Sequence, residues 1–317
     1  MRLPIALTLL SSLTACAGPP EPAAAPATEP AVAAAPVELI RHTVESDRHP
    51  MALWEKRAGD PEGAILLVHG RTWSARPDFD LQVPGEDLSL MDGLVAEGFA
   101  VYGLDLRGYG ETPRDDTGWN TPMVAANDAA NVLAWITERH GGEPPVLFGW
   151  SLGSMVALLT AQQRADLMRA VVLFGFPVAL DEEIPADPGA DAPPREPTTA
   201  EAAASDFVTP DSISQVAIDA YVEAALAADP VRMDWRNQDQ WNALTPEDVN
   251  VPTLVIQGET DPLAPTDRQA TLFTRLGTAD KQWVVVAGGD HAAFLETPRA
   301  YFIDALVNFL RRPRPAG

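Results

Sequence analysis

The chain has 317 residues, 46% of them hydrophobic, which is enough for one large domain with a packed core. Its 45 acidic residues outnumber 22 basic ones and leave a formal net charge of −23 at pH 7. This charge excludes nucleic acid as an expected partner, because phosphate binding requires clustered lysine and arginine.

The first residues, MRLPIALTLLSSLTACAG, have the layout of an export signal. A basic residue, Arg2, precedes an apolar segment from residue 3 to residue 13 that is too short to span a bilayer. The next stretch, Leu13-Thr14-Ala15-Cys16, resembles the lipobox of bacterial lipoproteins, in which the chain is cut before the cysteine and the thiol carries lipid. We therefore expect a lipoprotein signal peptide over residues 1–15.

Lipidation of Cys16 would anchor the protein to a membrane of the bacterial cell envelope. The resemblance favours the outer membrane, on its periplasmic or surface side, because residue 17 is not aspartate. The alternative is an ordinary signal peptide that contains a cysteine. Cys16 is the one cysteine of the chain, so no internal disulfide can form.

Residues 16–36 are almost entirely alanine, proline and glutamate. This composition cannot bury enough apolar surface to offset the entropy lost on ordering. We expect an extended tether here, either to hold the domain away from the membrane or without a role of its own.

Short apolar runs alternate with helical patterns through the rest of the chain, from residue 37 to residue 312. The first two runs predict an antiparallel hairpin, and the later ones are apolar on both faces, as in buried parallel strands. This alternation predicts an α/β fold with a mostly parallel, doubly wound sheet. Strands are predicted at 37–45, 50–58, 64–70, 99–106, 145–150, 170–176, 252–258 and 282–288, and helices at 88–97, 123–140, 152–167, 267–276 and 299–310.

One long segment, residues 177–250, interrupts this alternation. It begins with a stretch rich in Pro, Ala and Asp and continues through amphipathic pieces. An insertion of this length between two core strands predicts a helical cap over the carboxyl ends of the sheet. A peripheral decoration with no role at the site is the alternative.

A serine is flanked by glycines where a predicted strand turns directly into a predicted helix. Gly149-Trp150-Ser151-Leu152-Gly153 matches the G-x-S-x-G nucleophile elbow, in which the sharp turn leaves no room for side chains two residues before and after the serine. The turn would expose the Ser151 hydroxyl at the amino end of a helix, where backbone N–H groups favour negative charge. We therefore predict that Ser151 is a nucleophile.

A serine nucleophile requires a base to take its proton and a carboxylate to orient that base. Of the five histidines, His291 lies in a glycine-rich loop after the last predicted strand, at the edge of the sheet where ligands bind. It is the predicted base. The loop after the strand at 252–258 supplies two candidate carboxylates, Glu259 and Asp261.

The tetrahedral intermediate of acyl transfer also needs N–H donors for its oxyanion. The backbone of Leu152, directly after the nucleophile, is the first predicted donor. The second is predicted in the loop after the strand at 64–70, at Arg71 or, as the alternative, at Thr72. His69 in the same loop is interpreted as structural.

Taken together, LLVHG (66–70), LDLRGYGET (104–112), the elbow, GETDPLAP (258–265) and GGDHAAFLE (288–296) resemble the α/β-hydrolase superfamily. The resemblance covers about residues 37 to 312 and orders the catalytic residues as Ser151, Asp261, His291. It selects Asp261 over Glu259 because the loop has the layout G-x-x-D-x-hydrophobic-x-P. Serine where the epoxide hydrolases and haloalkane dehalogenases carry aspartate favours acyl transfer.

The resemblance implies a serine hydrolase that cleaves a carboxylic ester, or alternatively an amide or a peptide N-terminus, through an acyl-enzyme. A lactone hydrolase or a cofactor-free perhydrolase would use the same three residues. A lipid-tethered binding protein without turnover is the alternative outside the enzymes.

The substrate is expected to be a small-molecule ester or amide in a largely apolar pocket. Trp150 and Phe176, at the carboxyl ends of central strands, are the predicted pocket residues, although packing in the core is an alternative for the aromatic residues. The charges of the loop at 72–83 could equally be solvated. We expect no cofactor and no metal, because the sequence has no metal-ligand cluster, dinucleotide fingerprint or phosphate loop.

Overall fold

The computed structural model describes residues 37–313. The predicted signal peptide, the predicted lipidation site Cys16 and the predicted tether lie outside the described residues. None of the helices within the described range is long and apolar enough to cross a bilayer.

Eight strands form a single sheet in the order 1-2-4-3-5-6-7-8 from edge to edge. The first two strands pair as an antiparallel hairpin, and the third to eighth strands are parallel to one another, as predicted. The second strand joins the fourth in antiparallel register. The strands are β1 Ile40–Ser46, β2 His49–Lys56, β3 Ala64–Val68, β4 Ala100–Leu104, β5 Val146–Trp150, β6 Ala170–Phe174, β7 Thr253–Gly258 and β8 Lys281–Val286.

The central strands are buried on both faces because helices cover the sheet on both sides. Along β3, Leu66 and Val68 enter one apolar cluster, whereas Ile65 and Leu67 enter the other. Alternating side chains of a strand point to opposite faces, so a strand between two helical layers must be apolar throughout. The prediction of buried parallel strands from the continuous apolar runs is therefore confirmed.

The five predicted helices are all present; two begin at the predicted residue, and the other ends are shifted by one to four residues. Local sequence explains two of their starts: the Ser89 and Thr121 side chains accept hydrogen bonds from the N–H groups of Asp92 and Val124. Of three further helices, one lies in the loop at 72–83, where no helix was predicted, and two lie in the segment predicted as a helical cap. The helices are α1 Ala75–Phe79, α2 Leu90–Ala96, α3 Pro122–Arg139, α4 Leu152–Gln163, α5 Ala200–Ala204, α6 Gln215–Ala228, α7 Thr266–Arg275 and α8 Arg299–Arg311.

Residues 177–250 connect β6 to β7 and contain α5 and α6. Helix α6 packs against α1, which follows β3. Further along, Asp234–Trp235 pairs in parallel with Trp119–Asn120, outside the main sheet. The segment, hereafter the insertion, thus contacts the loops at the carboxyl ends of β3 and β4.

Candidate active site

The backbone at Ser151 has the strained geometry of a nucleophile elbow. The residue lies between β5 and α4 with φ of 54° and ψ of −119°, a conformation that non-glycine residues rarely adopt. A Cβ atom at Gly149 would lie 2.1 Å from the Gly153 carbonyl oxygen, and one at Gly153 would lie 2.1 Å from the Val68 carbonyl oxygen. The two glycines are therefore required sterically by the turn that exposes the serine.

Gly153→Ala is expected to destabilise the protein by about 3 kcal/mol or more, because the added methyl group meets backbone that cannot rotate away. Gly141→Ala is the matched control: it also adds a methyl group, at a φ of 67°, but into open space. The control should cost about 1–2 kcal/mol. Thermal unfolding of both variants tests this, and equal losses would contradict the steric role of Gly153.

His291 and Asp261 form a buried pair. The imidazole Nδ1 lies 2.8 Å from Asp261 Oδ2, while Asp261 Oδ1 accepts hydrogen bonds from the N–H groups of Leu263 and Ala264. These contacts fix the carboxylate and leave the far nitrogen of the ring, Nε2, as the one that can face a substrate. Gly175 makes room for the pair, since a Cβ there would lie 3.0 Å from His291 Cε1.

Ser151 and His291 line the same cavity, which has a volume of about 130 Å³. Trp150 lines it as well, and its indole Nε1 donates to the His291 carbonyl oxygen at 2.6 Å. The other lining residues are Gly70, Arg71, Thr72, Trp73, Asp78, Asp206 and Leu263.

Phe176 does not line this cavity, in contrast to the prediction from sequence. Its side chain is fully buried in one of the two apolar clusters. The chain turns at Gly175, whose φ is 61°, directly after β6, and this turn directs the next side chain into the core. The Phe176 carbonyl oxygen accepts a hydrogen bond from Gln269, on α7.

The expected oxyanion donors belong to two segments, the start of α4 and the loop after β3. Leu152 is the first residue of α4, where the N–H groups have no partner within the helix. Arg71 and Thr72 both line the cavity, and the Tyr109 hydroxyl donates to the Arg71 carbonyl oxygen. This bond orients the peptide unit that carries the Thr72 N–H, whereas the Arg71 N–H belongs to the preceding peptide unit.

His69 is a buried structural residue. Its Nδ1 contacts the Gly70 carbonyl oxygen at 2.8 Å, and its Nε2 accepts a hydrogen bond from the Leu106 N–H at 3.1 Å. Burial lowers the pKa of His69 to about 4, so the ring is neutral and braces the loop.

Two carboxyl groups make the cavity less apolar than the sequence suggested. Asp78, from α1, and Asp206, from the insertion, meet at the hydroxyl of Tyr221, at 2.8 Å and 3.3 Å respectively. Asp206 also accepts a hydrogen bond from the Trp73 indole at 3.0 Å. Burial raises the pKa of Asp206 to about 6, and it raises that of Asp78 well above the ordinary value.

Sequence reasoning missed Asp206 and left Asp78 open as a possible surface charge. Neither residue belongs to a local motif, and their proximity depends on α6 packing against α1. The proline-interrupted stretch at 75–79 gave no helical signal. No single-sequence pattern would have joined these two carboxyl groups to Ser151.

A larger cavity of about 480 Å³ lies between Trp54 and the alanines of α6. Its buried carboxylate, Asp105, accepts hydrogen bonds from the Trp54 indole and from the N–H groups of Ala75 and Glu111. Through these bonds Asp105 connects β2, the start of α1 and the loop after β4, which is a structural role. The lining of this cavity contains no pairing of a nucleophile with a base, so the smaller cavity is the candidate active site.

The fold is expected to be more stable at pH 6.5 than at pH 8. Burial raises the pKa of Asp105 and Glu296 to about 7 and that of Asp206 to about 6. It also raises the pKa values of Asp78 and Asp229 above the ordinary value. The folded protein therefore binds protons that the unfolded chain does not, and this stability is lost as pH rises through the raised pKa values.

His69 has the opposite effect, because its lowered pKa removes stability as pH falls from 6.5 toward 4. This pH range lies below the range from 6.5 to 8 over which the two stabilities are compared. We expect the melting temperature to be higher at pH 6.5 than at pH 8 by at least about 3 °C. Glu296→Gln should show a smaller difference, because one titrating group is gone. A melting temperature that rises between pH 6.5 and pH 8 would contradict the prediction.

The sequence matches the family described as serine aminopeptidase, S33, over residues 59–298. One curated relative is a mouse (Mus musculus) protein named serine hydrolase BPHL, 28% identical over 130 residues. That match spans 40% of this chain and 40% of the mouse protein.

Solved structures show that the fold is that of the α/β-hydrolases. A serine hydrolase involved in carbazole degradation (CarC enzyme) matches with a TM-score of 0.63 and 16% identity, covering 86% of this chain and 99% of its own. The 2-hydroxy-6-oxo-6-phenylhexa-2,4-dienoate hydrolase from Rhodococcus sp. strain RHA1 has a TM-score of 0.61 at 19% identity, over 87% of this chain and 100% of its own. A thermophilic esterase from Thermogutta terrifontis matches with a TM-score of 0.59 and 20% identity, covering 86% of this chain and 98% of its own.

Proposed function

We propose that this chain, which belongs to the serine aminopeptidase family S33, hydrolyses a carboxylic ester through an acyl-enzyme intermediate. The observation that carries the proposal is the contact of 2.8 Å between His291 Nδ1 and Asp261 Oδ2, beside a cavity that Ser151 and His291 share. Nucleophile, base and orienting carboxylate are the three groups that acyl transfer needs.

In the proposed reaction, the Ser151 hydroxyl attacks the ester carbonyl and its proton passes to His291 Nε2. Asp261 remains ionised and stabilises the imidazolium. The N–H of Leu152 and a second N–H at residue 71 or 72 bind the oxyanion of the tetrahedral intermediate. The imidazolium then protonates the leaving alcohol, and water, activated by the neutral imidazole, releases the acid and restores Ser151.

A second candidate function is hydrolysis of a substrate whose acyl group carries an ammonium, as in an aminoacyl ester, an aminoacyl amide or a peptide N-terminus. The observation favouring it is the Asp206 carboxyl in the wall of the cavity. A carboxylate there would attract a nearby cation, and more strongly above pH 6, where Asp206 is ionised.

The insertion, residues 177–250, would act as a cap in this proposal. It supplies Asp206 to the cavity wall, and its Gln238 side chain accepts a hydrogen bond from Arg71 at 3.0 Å. Lipidation of Cys16 would hold the enzyme in the cell envelope. Metabolic labelling with a fatty-acid analogue, compared between the full chain and Cys16→Ala, tests the anchor.

Two matched esters separate the candidates: 2-naphthyl propionate and the 2-naphthyl ester of L-alanine, which differ by one ammonium group. Hydrolysis of the propionate by wild-type protein, and loss of it in Ser151→Ala, is the expected result. A higher kcat/KM for the alanine ester that falls in Asp206→Asn would select the second candidate. Hydrolysis of neither ester would count against both.

A further inference from the structure

A short segment of the insertion is tied to both loops that carry the catalytic base and acid. This segment, residues 206–212, is called the strap. The Thr209 hydroxyl lies 2.8 Å from that of Thr260, which is next to Asp261. At the other end of the strap, the Ser212 carbonyl oxygen accepts hydrogen bonds from the Thr297 N–H at 2.7 Å and hydroxyl at 2.8 Å.

The strongest tie is the side chain of Asp290, the residue before the predicted base. Its Oδ2 accepts hydrogen bonds from the N–H groups of Val208 at 2.8 Å and Thr209 at 2.6 Å. Its Oδ1 accepts from the Ala292 N–H at 3.0 Å, within the His291 loop. One buried carboxylate therefore joins the strap to the backbone on either side of the base.

Asp290 is suited to this role because it is fully buried and ionised. Burial alone would raise its pKa, but the hydrogen bonds that it accepts hold the pKa below the ordinary value. Glu296 supports the arrangement: its Oε2 accepts from the Asp290 N–H at 2.9 Å and its Oε1 from the Ser212 hydroxyl at 2.7 Å.

The first residue of the strap is Asp206, which lines the cavity of Ser151 and His291. The Trp73 indole donates to its carboxyl at 3.0 Å, and the Tyr221 hydroxyl lies 3.3 Å from the same oxygen. Its backbone lies between two fixed points: the end of α5, where the Phe207 N–H donates to the Ala204 carbonyl oxygen at 3.3 Å, and residues 208 and 209, which Asp290 binds.

We propose that Asp290 is a positioning residue, which clasps the strap to the His291 loop and thereby holds Asp206 at the wall of the active-site cavity. This inference rests on the proposed function, since it concerns how the cavity meets the acyl group. Asp290 acts through the strap and does not touch the substrate.

Asp290→Asn tests the clasp with almost no change in volume. An amide has one oxygen, so it cannot accept from the strap and from Ala292 at once, and its NH₂ must face a backbone donor. Asp211→Asn is the matched control. It makes the same charge change within the strap, at an exposed residue with a φ of 62° that asparagine tolerates.

Hydrogen exchange of the peptide covering 206–212 is the first readout. We expect exchange at least about tenfold faster in Asp290→Asn than in wild type and unchanged exchange in Asp211→Asn. Equal exchange in all three proteins would overturn the proposal. This readout does not depend on catalysis, so it reports on the clasp even if the proposed reaction fails.

The second readout is a double-mutant cycle with Asp206→Asn, measured as KM and kcat on the 2-naphthyl ester of L-alanine, which carries the ammonium that Asp206 would face. If Asp290 acts through the position of Asp206, each single variant raises KM more than it lowers kcat, and the double variant is little worse than either alone. Fully additive effects would overturn the proposal. Absence of Ser151 labelling by a fluorophosphonate in the wild type would instead identify a failure of the proposed function.

Discussion

Ser151→Ala is expected to lower kcat for ester hydrolysis by at least about 10⁴-fold. The substitution removes the one hydroxyl that the elbow exposes to the cavity beside His291, while the backbone turn is kept by Gly149 and Gly153. The residual rate would come from the remaining oxyanion donors and from substrate binding.

Ser154→Ala is the matched control, because it removes a hydroxyl three residues after Ser151, in the first turn of α4. That hydroxyl donates to the Ser151 carbonyl oxygen at 2.6 Å and does not line the cavity. Its kcat should stay within about tenfold of wild type. Initial rates with 2-naphthyl propionate measure both variants, and similar losses in the two would contradict the assignment of the nucleophile.

Asp261→Asn is expected to lower kcat by about 10⁴-fold with a smaller effect on KM. The asparagine oxygen would keep the bonds from Leu263 and Ala264, so its NH₂ would face His291 Nδ1. That contact forces the proton of the neutral ring onto Nε2, the nitrogen that must take the proton of Ser151. The base would then be in the wrong tautomer.

Glu259→Gln distinguishes the two carboxylates that follow β7. Glu259 is exposed, and its Oε2 accepts a hydrogen bond from the Gly288 N–H at 2.9 Å. Because this contact lies away from the imidazole, kcat should stay within about threefold of wild type. Rates for both variants across pH 6 to 9 provide the measurement. A larger loss of kcat in Glu259→Gln than in Asp261→Asn would show that Glu259, and not Asp261, is the carboxylate that orients His291.

The sheet was predictable from sequence because each central strand is apolar on both faces. Such runs, ending at glycine or a charged residue, mark buried parallel strands wherever they lie in the chain. The elbow was predictable for a related reason: Gly149 and Gly153 report a steric requirement that the structure makes explicit, with Cβ contacts of 2.1 Å. Both signals are local.

The wall of the cavity was not predictable, since it is formed by contacts between distant segments. Asp78 and Asp206 meet through Tyr221, 143 residues from the first and 15 from the second. Phe176 was assigned to the pocket from its place after a central strand, but the turn at Gly175 sends it into the core. The packing of α6 against α1 brings the two carboxyl groups together, and the turn at Gly175 buries Phe176; neither contact has a local sequence signal.

The most direct test of a nucleophilic Ser151 is intact-mass analysis after brief treatment with a fluorophosphonate at neutral pH. We predict one covalent adduct on the wild-type protein, mapped to Ser151 by peptide analysis, and none on Ser151→Ala under the same conditions. An unmodified wild-type protein, or equal modification of both proteins, would contradict the assignment of Ser151 as an activated nucleophile.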